Sequence, residues 1–580
     1  MGRWGECSRL SRNPVSSRLL TTPCDNGVPS RQRVFKAKRW RRRGMTDEPQ
    51  QLSERELAFL EKERMMNAAL DEKLARNHDK FPTAVYFIIP NEFCERFCYY
   101  GIRNLLNQYL KTGFGFEEYK AKSQVHLFNG LVYMFPLVGA ALSDSFLGKY
   151  KTIVYLSFVY LLGNTLLSIF SINGILGQFG NYPYYAYIIP ALLIAVGTGG
   201  IKPCVASHGG DQFLPSQAPL MDKFFAIFYV SINVGALISQ YLTPYLKDYV
   251  QCFGSKCYFI AYGVPTIFFA IALAVFMLGF RYYRIVPAQG EFLPWKAVKL
   301  TFLALKRRNA ATAAQRNTVG HWLRFAEPEY GYDFIEETRQ LGKVMVMFVP
   351  MVFCWVLYDQ NGTEWQNQYE KMDKLFFGFI PMPIEASSNI NSILIILLVP
   401  FMSFIVYPFL EKRGIQTPLA SRMSWGFFFI ILAFVVSTLL EYIVDSHAHN
   451  MVIKDHAVVS CNGCINGTWQ LPQWFLLSLG EALFSPTGIQ FAYTQVGRQM
   501  KASSTSIWLL TTAFGNYIVM VMEILMHPIE SAPIRMWIYI AISTVSLAIF
   551  VLLNKYWFVS KEEEEAIKRA QSATALSIKL

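Results

Sequence analysis

Long apolar runs alternate with short polar breaks from residue 84 to residue 558. The first six runs lie near 84–110, 125–143, 151–173, 184–205, 224–247 and 258–280. A polar, basic stretch occupies 281–342, and six more runs follow near 343–362, 389–410, 421–445, 471–495, 504–526 and 534–558. Each run is close to the roughly 20 residues that take a helix across a bilayer. A helix suits that setting because it closes its own backbone hydrogen bonds without water. The pattern predicts an all-α membrane protein with twelve transmembrane helices in two six-helix bundles. The expected divisions are a basic N-terminal tail over 1–80 and a first bundle over 81–280. A linker over 281–342, a second bundle over 343–558 and a tail over 559–580 complete the chain. No cleavable leader is expected, because the first apolar run starts after residue 80.

The first run is not uniformly apolar. Glu92, Glu95, Arg96, Tyr99 and Tyr100 recur at i, i+3, i+4, i+7 and i+8, which puts all five on one face of a helix. Each ionised group at a bilayer centre costs about 2.5–3.5 kcal/mol on the lenient insertion scale. Three of them facing lipid would be prohibitive, so this face must meet a wet cavity or pair with itself.

Composition sharpens the picture. A chain that is 53% hydrophobic and 16% charged is built like a polytopic membrane protein. The net charge of +13 is local. Residues 1–44 hold twelve Lys/Arg and two Asp/Glu, so +10 sits in that tail and about +3 in the remainder. A basic tail beside anionic lipid is the expected reading, with no nucleic-acid partner. Lys149 and Lys151 lie in the 2–3 loop, Arg281, Arg284, Lys296 and Lys299 follow the sixth run, and Lys412 and Arg413 follow the eighth. Arg498 and Lys501 follow the tenth. These loops fall on one side, and their Lys/Arg excess marks it as cytoplasmic together with both termini. Cys252 with Cys257, and Cys461 with Cys464, are candidate disulfides on the opposite side. Asn466 opens a glycosylation sequon there. His447, His449 and His456 precede the second pair. Incidental loop histidines are preferred to a zinc site, so no metal is expected.

Several motifs in this frame carry a resemblance. The segment from Glu92 to Gly101 reads Glu-x-x-Glu-Arg-Phe-x-Tyr-Tyr-Gly. It resembles the first-helix signature of proton-coupled oligopeptide transporters, a branch of the major facilitator superfamily. Gly139 to Lys151 resembles that superfamily's 2–3 loop motif. Gly197-Thr198-Gly199-Gly200-Ile201-Lys202-Pro203 through Asp211-Gln212, and Phe224 through Gly235, resemble two further family signatures. The glycines of the first of these follow an apolar helix and not a strand, so a nucleotide cradle is rejected. The resemblance extends from Pro82 to Phe558, without the large extracellular domain of animal intestinal-type relatives.

The resemblance implies roles. Glu92, Glu95, His126 and Asp359 are the expected proton-coupling residues, and an imidazole titrating near neutrality suits a relay. Arg96, with Lys202 near it, is expected to hold a peptide carboxylate, and Asn391 with position 490 its amino terminus. Tyr99, Tyr100, Tyr133, Tyr229, Asn233, Gln360 and Glu481 belong to the expected substrate site, with Trp355 and Trp508 as pocket walls. For each tryptophan, core or lipid-interface packing stands as the alternative. Asp144 is expected to cap a helix and pair with neighbouring basic residues as the halves rock, and Lys343 is grouped with it as conformational. Two positions depart from the pattern: Gln490 stands where peptide carriers usually place glutamate, and Lys343 where close animal relatives carry arginine.

Together these imply a monomeric secondary carrier that moves di- and tripeptides with protons, without a cofactor. The plasma membrane is the first expectation for its site and the endolysosomal membrane the second. A same-fold carrier of an amino acid, nitrate or conjugated metabolite is one alternative, and a nutrient-sensing receptor another. An enzyme is not expected, since no nucleophile–base pair or metal cluster falls within the spans.

Overall fold

The computed structural model describes residues 80–558 and parts of 65–74, apart from 173–183, 253–254, 289, 291, 313–314, 317–320, 416, 448–450, 455–456, 462–463 and 498–499. The expected tails, Arg498, His449 and His456 lie outside the described residues. Long helices occupy the positions that the apolar runs mark. In the first half these are α1 Val85–Thr112, α2 Glu118–Leu142, α3 Lys149–Phe170, α4 Tyr185–Gly210, α5 Ala218–Tyr249 and α6 Tyr258–Leu278. A linker helix, α7 Leu293–Ala310, comes next. The second half has α8 Tyr332–Tyr358, its short extension α9 Glu364–Glu370 and α10 Asn389–Phe401, which a π turn carries on to Lys412. The chain then forms α11 Leu419–His447, α12 Leu471–Thr494, α13 Lys501–Leu525 and α14 Ala532–Tyr556.

Among the described residues, ten of the spans so formed are long and apolar enough to cross a membrane. The two outside that set, α1 and α12, have 28 and 24 residues. They are long enough, and polar residues lower their hydropathy. On α1 these are the charged groups noted above, and Glu92, Glu95, Arg96, Asn104, Asn107, Gln108 and Lys111 are all buried. Their burial answers the cost of charge in lipid: this face looks into protein.

Each half has its own core, one including Tyr99, Tyr160 and Phe269, the other Trp365, Phe434 and Trp474. Lipid tails give no hydrophobic drive between spans, so close packing through small residues must supply contact. A Cβ on Gly139 of α2 would lie 2.1 Å from the carbonyl oxygen of Gly200 on α4. Gly426 of α11 and Gly480 of α12 approach each other the same way. Gly139→Leu is therefore expected to destabilise the first half by about 1–3 kcal/mol or more, read as a lower unfolding midpoint in detergent. An unchanged midpoint would mean that α2 and α4 do not cross at this point.

Two expectations about the linker change. The seventh span begins at Tyr332, eleven residues before position 343, because the charged turn Asp333–Arg339 continues the helix beyond the apolar run. The linker is also not a plain polar connection. Ala297, Leu300 and Ala304 of α7 pack into the core of the second half beside Phe334 and Ile335. The described residues ahead of the first span contact the chain that follows the sixth. Asn67 bonds both backbone groups of Ile285, at 2.7 and 3.0 Å, and Asp71 pairs with Arg284 at 2.9 Å.

Candidate functional site

The helical register of α1 builds the centre of the site. Arg96 Nε donates to Glu92 Oε1 at 2.9 Å and lies 2.6 Å from Glu95 Oε2. Thr198 of α4 donates its hydroxyl to Glu95, whose side chain is fully buried. Arg96 Nη1 and Nη2 make no hydrogen bond among the described residues. The guanidinium is thus anchored at one edge and free at the other. Lys202 is held differently. Its ammonium makes no ion pair within 4 Å among the described residues and lies over the rings of Tyr99 and Tyr133, at 4.4 and 4.2 Å. It neighbours Glu95 and Glu92 electrostatically without bonding them. Two ring faces hold a cation by their quadrupoles while leaving its protons unclaimed.

A second polar pole lies on the other half. Asn391 donates to Glu481 Oε2 at 2.9 Å and to the Tyr358 hydroxyl at 3.3 Å. The Ser478 hydroxyl donates to Asn391 Oδ1 at 2.6 Å. Tyr100 lies within electrostatic reach of both Arg96 and Glu481. Tyr229, 52% exposed, lies within electrostatic reach of Tyr100 and Glu481, and Asn233 donates to the Tyr229 carbonyl. The residue beside Asn391 is therefore Glu481 and not Gln490. Gln490 is exposed and nine residues further along α12, about 13–14 Å away. This corrects the expectation that position 490 partners Asn391.

Trp355 and Trp508 are 8% and 2% exposed and pack against Phe484, edge-on and tilted respectively, inside the second core. Trp355 donates to Thr511 at 2.9 Å, and Trp508 covers Gly488. Core packing describes both better than pocket walls do. Gln360 is likewise buried, donating to the Val356 carbonyl.

At the end of the bundle away from the basic loops, bonds cross between the halves. Arg103 Nη2 pairs with Asp359 at 2.8 Å, and Asn516 donates to the same carboxylate at 2.6 Å. His126 bonds Asn516 at 2.8 Å and Thr363 at 3.1 Å. Lys122 meets Glu364, Lys111 meets Glu370, and Lys247 meets Glu385 at 2.5 Å. Asp359 and His126 thus belong to one chain of bonds that closes this end. Arg103, Asn107 and Lys111 were legible in principle, since they continue the charged face of α1 past Tyr100 at helical spacing. Their partners on the second half had no such signal.

The remaining expected residues lie elsewhere. Asp144 neither caps α3 nor forms an ion pair among the described residues. It accepts from Ser143, and the ion pair of this corner is Lys149 with Asp211 at 2.5 Å. Lys343 is half-buried, three turns into α8 and within electrostatic reach of His321. Cys252 and Cys257 are joined across a two-stranded hairpin. Cys464 is disulfide-bonded as well, while the side chain of its expected partner Cys461 lies outside the described residues. The Asn466 amide nitrogen, where a glycan would attach, donates to the Leu375 carbonyl at 2.8 Å. Among the described residues no His, Cys, Asp or Glu group is arranged to hold a metal.

Long spans in two halves with charges buried at their junction define a multi-span helical membrane protein of the major facilitator fold. Two solved structures share that fold. The POT family transporter PepTSo aligns with a TM-score of 0.67 and 26% identity, over 82% of this chain and 98% of its own. An auto-inhibited POT family peptide transporter aligns with a TM-score of 0.67 and 28% identity, over 83% and 98%. The sequence model of the POT family matches residues 150–538, about two thirds of the chain, and the chain belongs to that family. Peptide transporter family 1 of Drosophila melanogaster is 39% identical over 373 residues, which is 64% of this chain and 49% of that protein. Solute carrier family 15 member 2 of Homo sapiens is 36% identical over 368 residues, 63% and 50% respectively. The chain spans about half the length of the curated relatives it matches.

Proposed function

We propose that the protein is a proton-coupled symporter of di- and tripeptides, working by alternating access. One observation carries the reading: each half presents a polar pole, a guanidinium with unclaimed nitrogens at Arg96 and a carboxylate at Glu481, and Tyr100 lies within electrostatic reach of both. A peptide zwitterion presents a carboxylate and an ammonium at its ends and varies in between. Charged poles with aromatic walls between fix the ends and tolerate that variation. The membership of the POT family and the peptide transporters among the relatives support the same reading. The bonds from Arg103–Asp359 to Lys122–Glu364 would close the non-cytosolic end, leaving the site served from the side of the basic loops. We place both termini in the cytosol and the protein at the plasma membrane as a monomer, with no cofactor.

Uptake of a labelled dipeptide by proteoliposomes, challenged with excess dipeptide, free amino acid or nitrate, tests the substrate class. Only the peptide should compete strongly; equal competition by an amino acid or nitrate would sink the peptide reading. The position of Glu481 adds a sharper expectation. Losing a charge-assisted bond to the amine costs on the order of 1–2 kcal/mol, or about five- to thirtyfold in affinity. Glu481→Gln should therefore reduce the preference for a free amine over its N-acetylated form by that factor, while Gln490→Glu leaves it unchanged. The reverse pattern would return position 490 to the amino-terminal pole.

A further inference from the structure

The bond between Lys122 and Glu364 belongs to a larger buried cluster that the central site does not use. The Lys122 side chain is 1% exposed, bonds Glu364, and lies 2.8 Å from Glu118 and 3.9 Å from Glu523. Glu118 and Lys122 share α2 of the first half, one turn apart. Glu364 on α9 and Glu523 on α13 belong to the second half and interact with each other electrostatically. From α14, Tyr539 donates to Glu523 at 2.9 Å and Arg535 stands 3.8 Å from Glu118. Beyond this shell lie the Lys371–Glu441 pair beside α11 and Lys111 on α1. His126 sits one turn deeper on α2, and His527 stacks on Tyr119 at the mouth. A cavity lined by Glu118, Lys122, Glu523, His527, Glu530 and Arg535 opens from the cluster.

The charges do not divide evenly when the halves part. Lys122 leaves with Glu118, already its partner on the same helix, so the first half carries away a balanced pair. Glu364 and Glu523 stay behind on the second half, two neighbouring carboxylates with Arg535 as the cation beside them. Arg535 balances only one of the two, and a second carboxylate without a cation of its own in a poorly solvated place takes up a proton. Separation of the halves at this end therefore creates a place for one proton, and closure removes it by returning Lys122. We propose that Glu364 and Glu523 form a proton site at this end of the bundle, and that Lys122 is the cation that competes with the proton for it. The proposal rests on the carrier reading, because it assigns the site a role in opening and closing. By linkage, the state that binds more protons gains population as pH falls. Acid should open this end, with an open-to-closed ratio that changes by up to about tenfold per pH unit for one proton.

Spin labels on Lys120→Cys and Glu530→Cys, one on each half at the cavity mouth, report the separation directly. They are used in the full chain, in lipid nanodiscs, in a background without other reactive thiols. Between pH 8 and pH 5 the parent should gain a longer-distance population. Lys122→Met should show that population at every pH, and Glu523→Gln should flatten the pH response. Lys122→Arg keeps a cation and should restore closure at high pH. A parent insensitive to pH would overturn the proposal. So would a Lys122→Met variant that responds as the parent does, leaving His126 or His527 to carry the effect. A Lys122→Arg variant that behaves like Lys122→Met would show that packing and not charge holds the end shut. The distances need no peptide, so an intact response in a protein that moves none would fail the substrate reading alone.

Discussion

Arg96→Lys should reduce dipeptide uptake by one to two orders of magnitude while leaving the protein folded and in the membrane. Lysine keeps the positive charge, so Glu92 and Glu95 retain a counter-ion and the buried cluster stays balanced. What disappears is the planar fork. Nε of Arg96 is engaged by the two glutamates, and the free Nη1 and Nη2 are the atoms that would grip a carboxylate in parallel. A lysine that satisfies the glutamates has little left to offer a ligand. A charge-assisted hydrogen bond contributes about 1.5–3 kcal/mol, which is roughly a 10- to 150-fold change in binding. The assay is initial uptake at low substrate, normalised to protein in the vesicles. Wild-type uptake by the variant would take Arg96 out of the substrate site.

Glu95→Gln should abolish concentrative uptake and spare exchange. Glu95 is fully buried, shared by Arg96 and Thr198, and has no contact with solvent to blunt a change in its charge. If it binds the driving proton, its carboxylate lets go of Arg96 when protonated and takes it back when not, which ties the guanidinium to the transport cycle. Glutamine holds the protonated pattern permanently. Accumulation driven by a pH gradient should then fall to equilibrium, while counterflow of labelled peptide against unlabelled peptide continues. Persistent gradient-driven accumulation would move coupling to the His126–Asn516–Asp359–Arg103 chain.

Local features were legible in the sequence because they are periodic. Apolar runs gave the helix positions, and the spacing of Glu92, Glu95, Arg96 and Tyr100 gave a buried charged face. The same spacing continues past Tyr100 to Arg103 and Lys111. Partners across the halves were not legible, since Asp359 lies 256 residues from Arg103 and Glu364 lies 242 from Lys122. No pattern along one helix encodes such a pairing. Gln490 shows a different failure. It sits at a plausible motif position, but nine residues of helix separate it from the pole that Glu481 and Asn391 form. Lys202 lies between two tyrosine rings, and no spacing along its own helix reveals rings contributed by two others. Trp508 was read as either wall or core. Its packing on Gly488 decides for core, and tryptophan content alone does not reveal a glycine beneath a ring.

The central claim is that proton movement drives peptide accumulation. The most direct test is labelled dipeptide uptake into proteoliposomes containing the full chain, with the outside held at pH 6 and the inside at pH 7.5. Accumulation above the external concentration is predicted, collapsing to equilibrium when a protonophore dissipates the gradient. Uptake that only equilibrates, or accumulation that the protonophore leaves intact, would contradict proton-coupled peptide symport.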